Sequence, residues 1–262
     1  MNSTGPRRRV AAVAAAAIVL LAVTACSAAD QPSRKPAPAK AAAHAPRPVP
    51  TSTPTATVAG FDKRAQSIDD PASTWVVVNK PRPLVPSNFA PPSLVYPEVA
   101  YVNRQPMRPE VGEALVSMFR AGKAEAGLDF SVQSAYRSFE SQTGVYNEDA
   151  ARNGVVYADT DTARPGHSEH QTGLAVDISA VPAKCSLDAC FARTPQGEWL
   201  AANAWRFGFV LRYPADKVAV TGFTFEPWHF RYVGVPLATQ LKETRVATLE
   251  EFFGVPGGTE YH

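Results

Sequence analysis

Two short segments of the chain, SEHQTGLAVD and EPWH, carry side chains that can hold a metal ion. His170, Asp177 and His229 offer two imidazoles and a carboxylate, and Glu226 adds a second carboxylate close to the last of them. Three protein ligands of these types hold Zn²⁺ and leave a fourth position open for water. A nearby carboxylate can take a proton from that water and return it later. The pattern therefore predicts metal-dependent hydrolysis.

The sequence between the first two ligands predicts a turn and a strand rather than a helix. Gly173 favours a tight turn, and the apolar run 174–178 is typical of a strand that would bring Asp177 into the same cleft as His170. In the second segment, Pro227 restricts its own φ angle and biases the residue before it away from the helical region. We therefore expect strand ends and turns to present the ligands.

Two neighbouring residues compete for these roles. His167 lies three residues before His170 and competes with it as a ligand. Glu169 competes with Glu226 as the catalytic base, although a position beside a ligand suits a solvated side chain equally well. The chain contains no H-E-x-x-H sequence, so its site differs from the helix-borne metalloprotease sites that carry that motif.

Three stretches together resemble the zinc D-Ala-D-Ala carboxypeptidases of the VanY type. They are S-x-H-x-x-G-x-A-x-D, the E-P-W-H that follows it, and SAYRSFESQ at 134–142, which matches the family's S-[GA]-Y-R-S stretch. The match runs from about Trp75 to Phe253. The resemblance implies removal of a terminal D-Ala with Zn²⁺ as the cofactor. It also implies that the zinc ligands are His170, Asp177 and His229, the base is Glu226, and the substrate-binding and oxyanion residue is Arg137.

The Arg137 role also has a physical reason. Attack on an amide carbonyl builds negative charge on oxygen, and a fixed cation stabilises that charge as it develops. A guanidinium also pairs with a carboxylate through two hydrogen bonds, so Arg137 could instead hold the C-terminus of the substrate. Ser168 either hydrogen-bonds the substrate or only shapes the turn before the first histidine ligand. Gln142 and Trp228 either line the cleft and contact the substrate or serve packing.

The order of elements predicts an α+β fold with helices packed on a small antiparallel sheet. The family resemblance places the zinc site in the central cleft of that fold, which hedgehog signalling domains share. Trp75 begins an extended arm or edge. We expect helices over 109–122, 139–153, 195–208 and 237–253, and strands over 129–136, within 168–180 and within 209–232.

The N-terminus predicts export and a lipid anchor. Arg7, Arg8 and Arg9 precede an apolar stretch, 10–22, that is too short for an ordinary membrane span. It ends in VTAC, which resembles a bacterial lipoprotein cleavage box, so residues 1–25 would be removed and Cys26 would carry acyl chains. The enzyme would then sit on the outer face of the cytoplasmic membrane, facing the wall. The alternative is an ordinary secretory signal with a chance cysteine.

Composition divides the rest of the chain into a tether and a folded domain. The stretch 26–66 is rich in Ala and Pro and favours an extended, semi-rigid tether, and 67–262 is long enough for one well-cored domain. Without Cys26 two cysteines remain, Cys185 and Cys190, and an exported context permits a disulfide between them.

Net charge argues against one class of partner. The whole chain carries a formal charge of +2, and losing the three arginines of the predicted signal peptide leaves −1, which is no footprint for nucleic acid. We expect a monomer that acts on peptidoglycan stem peptides ending in D-Ala-D-Ala. The alternatives are a D-Ala-D-Ala dipeptidase, a stem-peptide endopeptidase, and a non-catalytic zinc-containing lipoprotein that binds the wall.

Overall fold

The computed structural model describes residues 60–261, so the predicted signal peptide, Cys26 and most of the predicted tether lie outside the described residues. The strands are β1 (Ala100–Tyr101), β2 (Asp129–Ser134), β3 (Ala175–Val181), β4 (Phe209–Leu211) and β5 (His229–Tyr232). The helices are α1 (Pro109–Ala126), α2 (Phe139–Asn153), α3 (Val155–Asp161), α4 (Pro195–Asn203), α5 (Val218–Thr221), α6 (Val235–Thr244) and α7 (Leu249–Phe253). Short 3₁₀ turns cover Glu169–Thr172, Ala189–Arg193 and Ala204–Phe207.

One mixed sheet with the order β1-β2-β3-β5-β4 forms the centre of the fold. The strands β2, β3, β5 and β4 pair in antiparallel fashion, whereas β1 pairs parallel with β2 at one edge. The predicted α+β class is confirmed. The sheet is mixed rather than wholly antiparallel because the two-residue edge strand enters along β2 from the N-terminal arm.

Helix α1 covers one face of the sheet, and its sequence explains both of its ends. Pro109 occupies its first turn, where a missing N–H costs no hydrogen bond. Gly127 ends it at φ +68°, in the left-handed region that glycine adopts freely. Between them Leu115 and Met118 are fully buried in the main core, and each such side chain contributes roughly 1.5–3 kcal/mol.

The predicted N-terminal arm runs between two hydrophobic clusters. Val76 and Val78 face the main core, while Trp75 and Val77 face a second cluster with α6 and α7. Phe61 stacks on Trp75 at a centroid distance of 5.4 Å. Phe61, which falls within the predicted tether of residues 26–66, therefore packs with the folded domain.

Two predicted helices are broken in the structure, and one helix was not predicted. The helix expected over 195–208 ends at Asn203 and continues only as a 3₁₀ turn. The helix expected over 237–253 is interrupted at Arg245, whose φ of 58° closes α6 before α7 begins. Helix α3 was not predicted, and Gly154 at φ +87° separates it from α2.

Among residues 60–261 no helix has the length and apolar character needed to cross a membrane.

Candidate active site

Strand register brings two of the predicted ligands together. Asp177 on β3 lies directly opposite His229 on β5, and Ser134 on β2 lies opposite Asp177 on its other side. Residues opposed in this way have Cβ atoms about 4.5–5.5 Å apart. His170 joins them from the 3₁₀ turn, which Gly173 closes at φ +69° before β3 begins. We call His170, Asp177 and His229 the metal triad.

The spacing within the metal triad fits Zn²⁺. His170 Nε2 lies 3.3 Å from Asp177 Oδ2, and His229 Nδ1 lies 3.2 Å from Asp177 Oδ1. Zinc binds such atoms at about 2.0–2.2 Å, which separates tetrahedral ligands by about 3.3–3.5 Å. Among the described residues, Asp177 Oδ1 is a buried oxygen that lacks a hydrogen bond of acceptable geometry. A buried carboxylate oxygen in this position is satisfied by a cation.

Hydrogen bonds on the far side of each imidazole determine which nitrogen faces the metal position. His170 Nδ1 lies 2.6 Å from the carbonyl oxygen of Ala135, so this nitrogen carries the proton and Nε2 keeps its lone pair toward Asp177. His229 Nε2 lies 3.3 Å from Glu169 Oε2, which leaves Nδ1 as the ligating nitrogen. The metal triad therefore fits Zn²⁺ in ligand type, spacing and tautomer.

Electrostatics also favours a cation beside His229. Burial lowers the pKa of its imidazole, but the adjacent carboxylates of Asp177 and Glu169 outweigh burial and raise the pKa to about 9. Burial lowers the pKa of His170 to about 4, and the nearby Arg137 acts in the same direction. Positive charge is thus stabilised at the Asp177–His229 side of the metal triad, where either a proton or a metal ion supplies it.

A buried charge network stands behind His229. Glu169 Oε1 accepts hydrogen bonds from Arg212 Nε and Arg231 Nη1, each at 2.7 Å. Arg212 also donates two hydrogen bonds to Glu250, at 2.9 and 2.6 Å. We call Glu169, Arg212, Arg231 and Glu250 the closed side of the site, because none of them is more than 2% exposed. All four lie in contact with an oppositely charged member of the network.

This network decides the competition between the two glutamates. Burial acts to raise the pKa of Glu169, but Arg212 and Arg231 outweigh it and hold the pKa well below its usual range. Its oxygens are occupied by those two arginines and by His229, so Glu169 is neither a solvated side chain nor free to exchange protons. Glu226 remains as the candidate base.

Glu226 lies on the other side of the metal triad, in the cleft. Its Oε2 is 3.7 Å from His229 Nδ1, and its backbone N–H donates to the Tyr213 carbonyl, which fixes the turn before β5. Burial raises the pKa of Glu226 to about 8. A carboxylate with proton affinity near neutral pH is suited to take a proton and give it back.

Neutral partners orient Arg137 in the same cleft. Its Nε donates to Gln142 Oε1 at 2.9 Å, and its Nη1 donates to Ser134 Oγ at 2.8 Å. Within the described part of the chain its guanidinium forms no salt bridge, so its charge remains available to a substrate. Gln142 itself is fully buried, and its Nε2 donates to the Ala163 carbonyl. The structure thus places Gln142 behind Arg137 rather than on the cleft wall.

The remaining predicted positions divide between the cleft and the scaffold. Ser168 and Trp228 both line the cleft, and Ser168 Oγ also accepts a hydrogen bond from the backbone N–H of His170. His167 lies outside the metal triad: its Nδ1 contacts the Asn79 carbonyl at 3.0 Å and its ring packs edge-on against Tyr261. His170, rather than His167, is therefore the histidine that the structure places with the other ligands.

The cleft is a cavity of about 610 Å³, and Tyr213 is a residue beside the metal triad that the sequence did not reveal. Tyr213 lines it, with its ring centroid 4.7 Å from that of His229. Burial raises the pKa of the Tyr213 hydroxyl well above its usual range, so this group stays protonated and can donate a hydrogen bond. We call Arg137, Glu226 and Tyr213 the open side of the site.

Comparisons with known proteins agree with this geometry. The family model described as "VanY: D-alanyl-D-alanine carboxypeptidase" matches residues 104–235. The YodJ protein of Bacillus subtilis (strain 168) is 37% identical over 193 residues, which cover 72% of this chain and 70% of YodJ.

Two solved structures are similar in both fold and sequence. The LdcB LD-carboxypeptidase aligns at a TM-score of 0.65 and 37% identity, covering 71% of this chain and 89% of LdcB. A vancomycin resistance D,D-pentapeptidase VanY in complex with Zn(II) aligns at a TM-score of 0.56 and 33% identity, covering 68% of this chain and 97% of that one. With its metal triad and these relatives, the chain belongs to the VanY family of D-alanyl-D-alanine carboxypeptidases, with Zn²⁺ as its cofactor.

Proposed function

We propose that this enzyme removes the terminal D-Ala from peptidoglycan stem peptides that end in D-Ala-D-Ala. The observation that carries the proposal is the position of Glu226, a buried carboxyl beside the metal triad that shares one cleft with the guanidinium of Arg137. A closed, purely structural zinc site would need neither group.

The residues of the open side divide the reaction between them. His170, Asp177 and His229 would hold Zn²⁺, which when bound would supply Lewis-acid activation of the water and of the scissile carbonyl. Glu226 takes a proton from the attacking water and passes it to the leaving amine of D-Ala. Arg137, held by Gln142 and Ser134, stabilises the negative charge that develops on the carbonyl oxygen.

Release of D-Ala from a synthetic stem pentapeptide ending in D-Ala-D-Ala tests the proposal. The folded domain, expressed without the predicted signal peptide and anchor, should release D-Ala. It should lose this activity when a chelator removes the metal and regain it when Zn²⁺ is restored. Folded, zinc-loaded protein that releases no D-Ala from this peptide would contradict the proposal. Free D-Ala-D-Ala, assayed in parallel, separates a carboxypeptidase from a dipeptidase.

The similarity to LdcB supports a second candidate reaction. That relative is described as an LD-carboxypeptidase, and it shares 37% identity with this chain. The corresponding activity would remove D-Ala from a stem tetrapeptide, in which an L-centre precedes the scissile bond. A tetrapeptide assayed beside the pentapeptide assigns the bond, because the favoured substrate has the higher kcat/KM.

We also propose that the enzyme is exported and held by lipid at Cys26, facing the cell wall. The support is the basic and apolar N-terminal sequence that ends in VTAC. Mass spectrometry of the wild-type chain recovered from membranes should find acyl chains on Cys26, and Cys26→Ala should abolish them. A membrane-bound wild-type chain without acyl chains on Cys26 would contradict the anchor.

A further inference from the structure

A small disulfide-closed loop forms one wall of the catalytic cleft. Cys185 and Cys190 are bonded, as the sequence predicted, with their Cα atoms 5.5 Å apart. The loop 185–190 follows β3 and leads into the 3₁₀ turn before α4. Three of its residues, Leu187, Asp188 and Ala189, line the cavity that contains the metal triad. A disulfide over so short a span constrains local conformation more than global stability.

Internal contacts fix the shape of the loop as well. Ser186 Oγ lies 3.1 Å from Ser179 Oγ on β3. Asp188 Oδ1 accepts a hydrogen bond from the backbone N–H of Cys190 at 2.7 Å. Cys185 packs against the main core. Leu187 lies at the tip of the loop, and the backbone on both sides of it is therefore fixed by these contacts.

Leu187 combines two unfavourable features in one residue. Its φ of 52° lies in the left-handed region, which a leucine adopts only at a cost, and 48% of the residue is exposed. Val145 on α2 and Tyr157 on α3 are also exposed apolar residues, at 39% and 52%, and also line the cavity. The cleft thus presents exposed apolar groups both from the loop and from the helices α2 and α3.

A carboxypeptidase places a single residue beyond the bond it cuts, so a cavity of about 610 Å³ has room for residues that precede that bond. We propose that Leu187 is a specificity-determining residue that contacts the acyl part of the stem peptide, and that the Cys185–Cys190 disulfide holds it there. This inference rests on the proposed function and deepens it. It predicts that substrate binding, rather than the chemical step, depends on the loop.

The test compares Leu187→Gly with the parent on two substrates. Glycine removes the side chain yet adopts the left-handed backbone freely, so the loop can keep its path. We expect KM for the stem pentapeptide to rise roughly five- to tenfold with little change in kcat, because an apolar contact with the substrate is lost. N-acetyl-D-Ala-D-Ala, which lacks the preceding residues, should be cleaved as by the parent. Leu187→Met keeps an apolar side chain of similar volume, so this variant should show the parental KM.

Arg245→Gly is the matched control, since Arg245 is also an exposed non-glycine residue with positive φ, at 58°, and lies outside the catalytic cleft. It should leave both substrates unaffected. The double variant Cys185→Ser, Cys190→Ser should raise KM for the pentapeptide while keeping its zinc content. A parental KM in the double variant would overturn the role of the disulfide.

Three other results would overturn the inference. An unchanged pentapeptide KM in Leu187→Gly would show that Leu187 makes no contact with the substrate. Equal rises in KM for both substrates would show that Leu187 contacts the D-Ala-D-Ala unit itself instead of the residues that precede it. A parent enzyme that cleaves neither substrate would overturn the proposed function, and this inference with it, whereas the first two results leave the proposed function intact.

Discussion

The two sides of the metal triad differ in how their charged side chains are paired. On the closed side, Glu169 and Glu250 are paired with arginines in hydrogen bonds of 2.6–2.9 Å. On the open side, the guanidinium of Arg137 donates to the neutral oxygens of Gln142 and Ser134 and forms no salt bridge with any residue in the range 60–261. Glu226 lies 3.7 Å from the nearest imidazole nitrogen. The closed side satisfies its charges internally, whereas the open side leaves its charges for a substrate.

The two glutamates show what this difference does to one functional group. Both are buried beside His229, yet paired arginines hold the pKa of Glu169 below its usual range, while burial raises the pKa of Glu226 to about 8. A permanently ionised carboxylate suits the orientation of a metal ligand, and a titratable one suits proton transfer. Substitutions on the two sides should therefore affect different measurements.

The largest effect should follow the loss of Glu226. Glu226→Ala removes the group that exchanges the proton, so we expect kcat for D-Ala release to fall by about 10²–10⁴. Zinc content, measured by metal analysis of the purified protein, should stay at the parental level because the metal triad is intact. A variant that turns over like the parent would show that another group is the base.

The second effect concerns Arg137. Arg137→Ala removes a preorganised cation that acts on the developing oxyanion, and we expect kcat to fall by about 10²–10³ with zinc retained. Steady-state kinetics on the pentapeptide separate the two roles that the sequence left open. A rise in KM with kcat unchanged would mean that Arg137 holds the substrate carboxylate in the ground state instead.

On the closed side, Glu169→Gln should act on metal affinity. The amide can no longer supply the negative charge that pairs with two arginines and orients His229, so zinc affinity should fall about 10–100-fold. Competition against a chromogenic chelator measures this without reference to activity. The loss of activity at limiting zinc should be reversed by excess metal, which distinguishes Glu169 from Glu226.

Glu250→Gln is the matched control for that experiment. Glu250 belongs to the same network but contacts Arg212 and Asn79 rather than a metal ligand. Breaking its buried pair should lower the free energy of unfolding by on the order of 3 kcal/mol while leaving zinc affinity near the parental value. Equal losses of zinc affinity in both variants would mean that the closed side acts only through stability.

The sequence predicted the metal triad because its chemistry is local and its motif is short. The turn at Gly173 and the strand after it were also foreseeable, since glycine at φ +69° and an apolar run produce both. The state of Glu169 was not foreseeable, because its arginine partners lie 43 and 62 residues away and burial is a tertiary property. Arg231 alone left a signal, as residues two apart in a strand face the same way and it follows His229.

The broken C-terminal helix was predictable from a signal that periodicity does not report. Thr248 and Glu251 form a T-x-x-E pattern, and Thr248 Oγ1 accepts a hydrogen bond from the Glu251 backbone N–H at 3.2 Å. Such a pattern marks the start of a helix. The left-handed Arg245 that ends α6 has no comparable mark, because arginine carries no preference for positive φ.

The smallest effect should come from Tyr213. Tyr213→Phe removes only a hydroxyl that can donate to the substrate, and one such hydrogen bond is worth about 0.5–1.5 kcal/mol, or roughly a twofold to twelvefold loss in kcat/KM. The phenylalanine ring keeps the contact with His229, so zinc affinity and the free energy of unfolding should be unchanged. A fall in zinc affinity would instead place Tyr213 with the closed side, and an unchanged kcat/KM would remove it from the reaction. Because the substitution removes one oxygen atom from the open side, it tests whether the open side changes kcat/KM without changing zinc affinity or the free energy of unfolding.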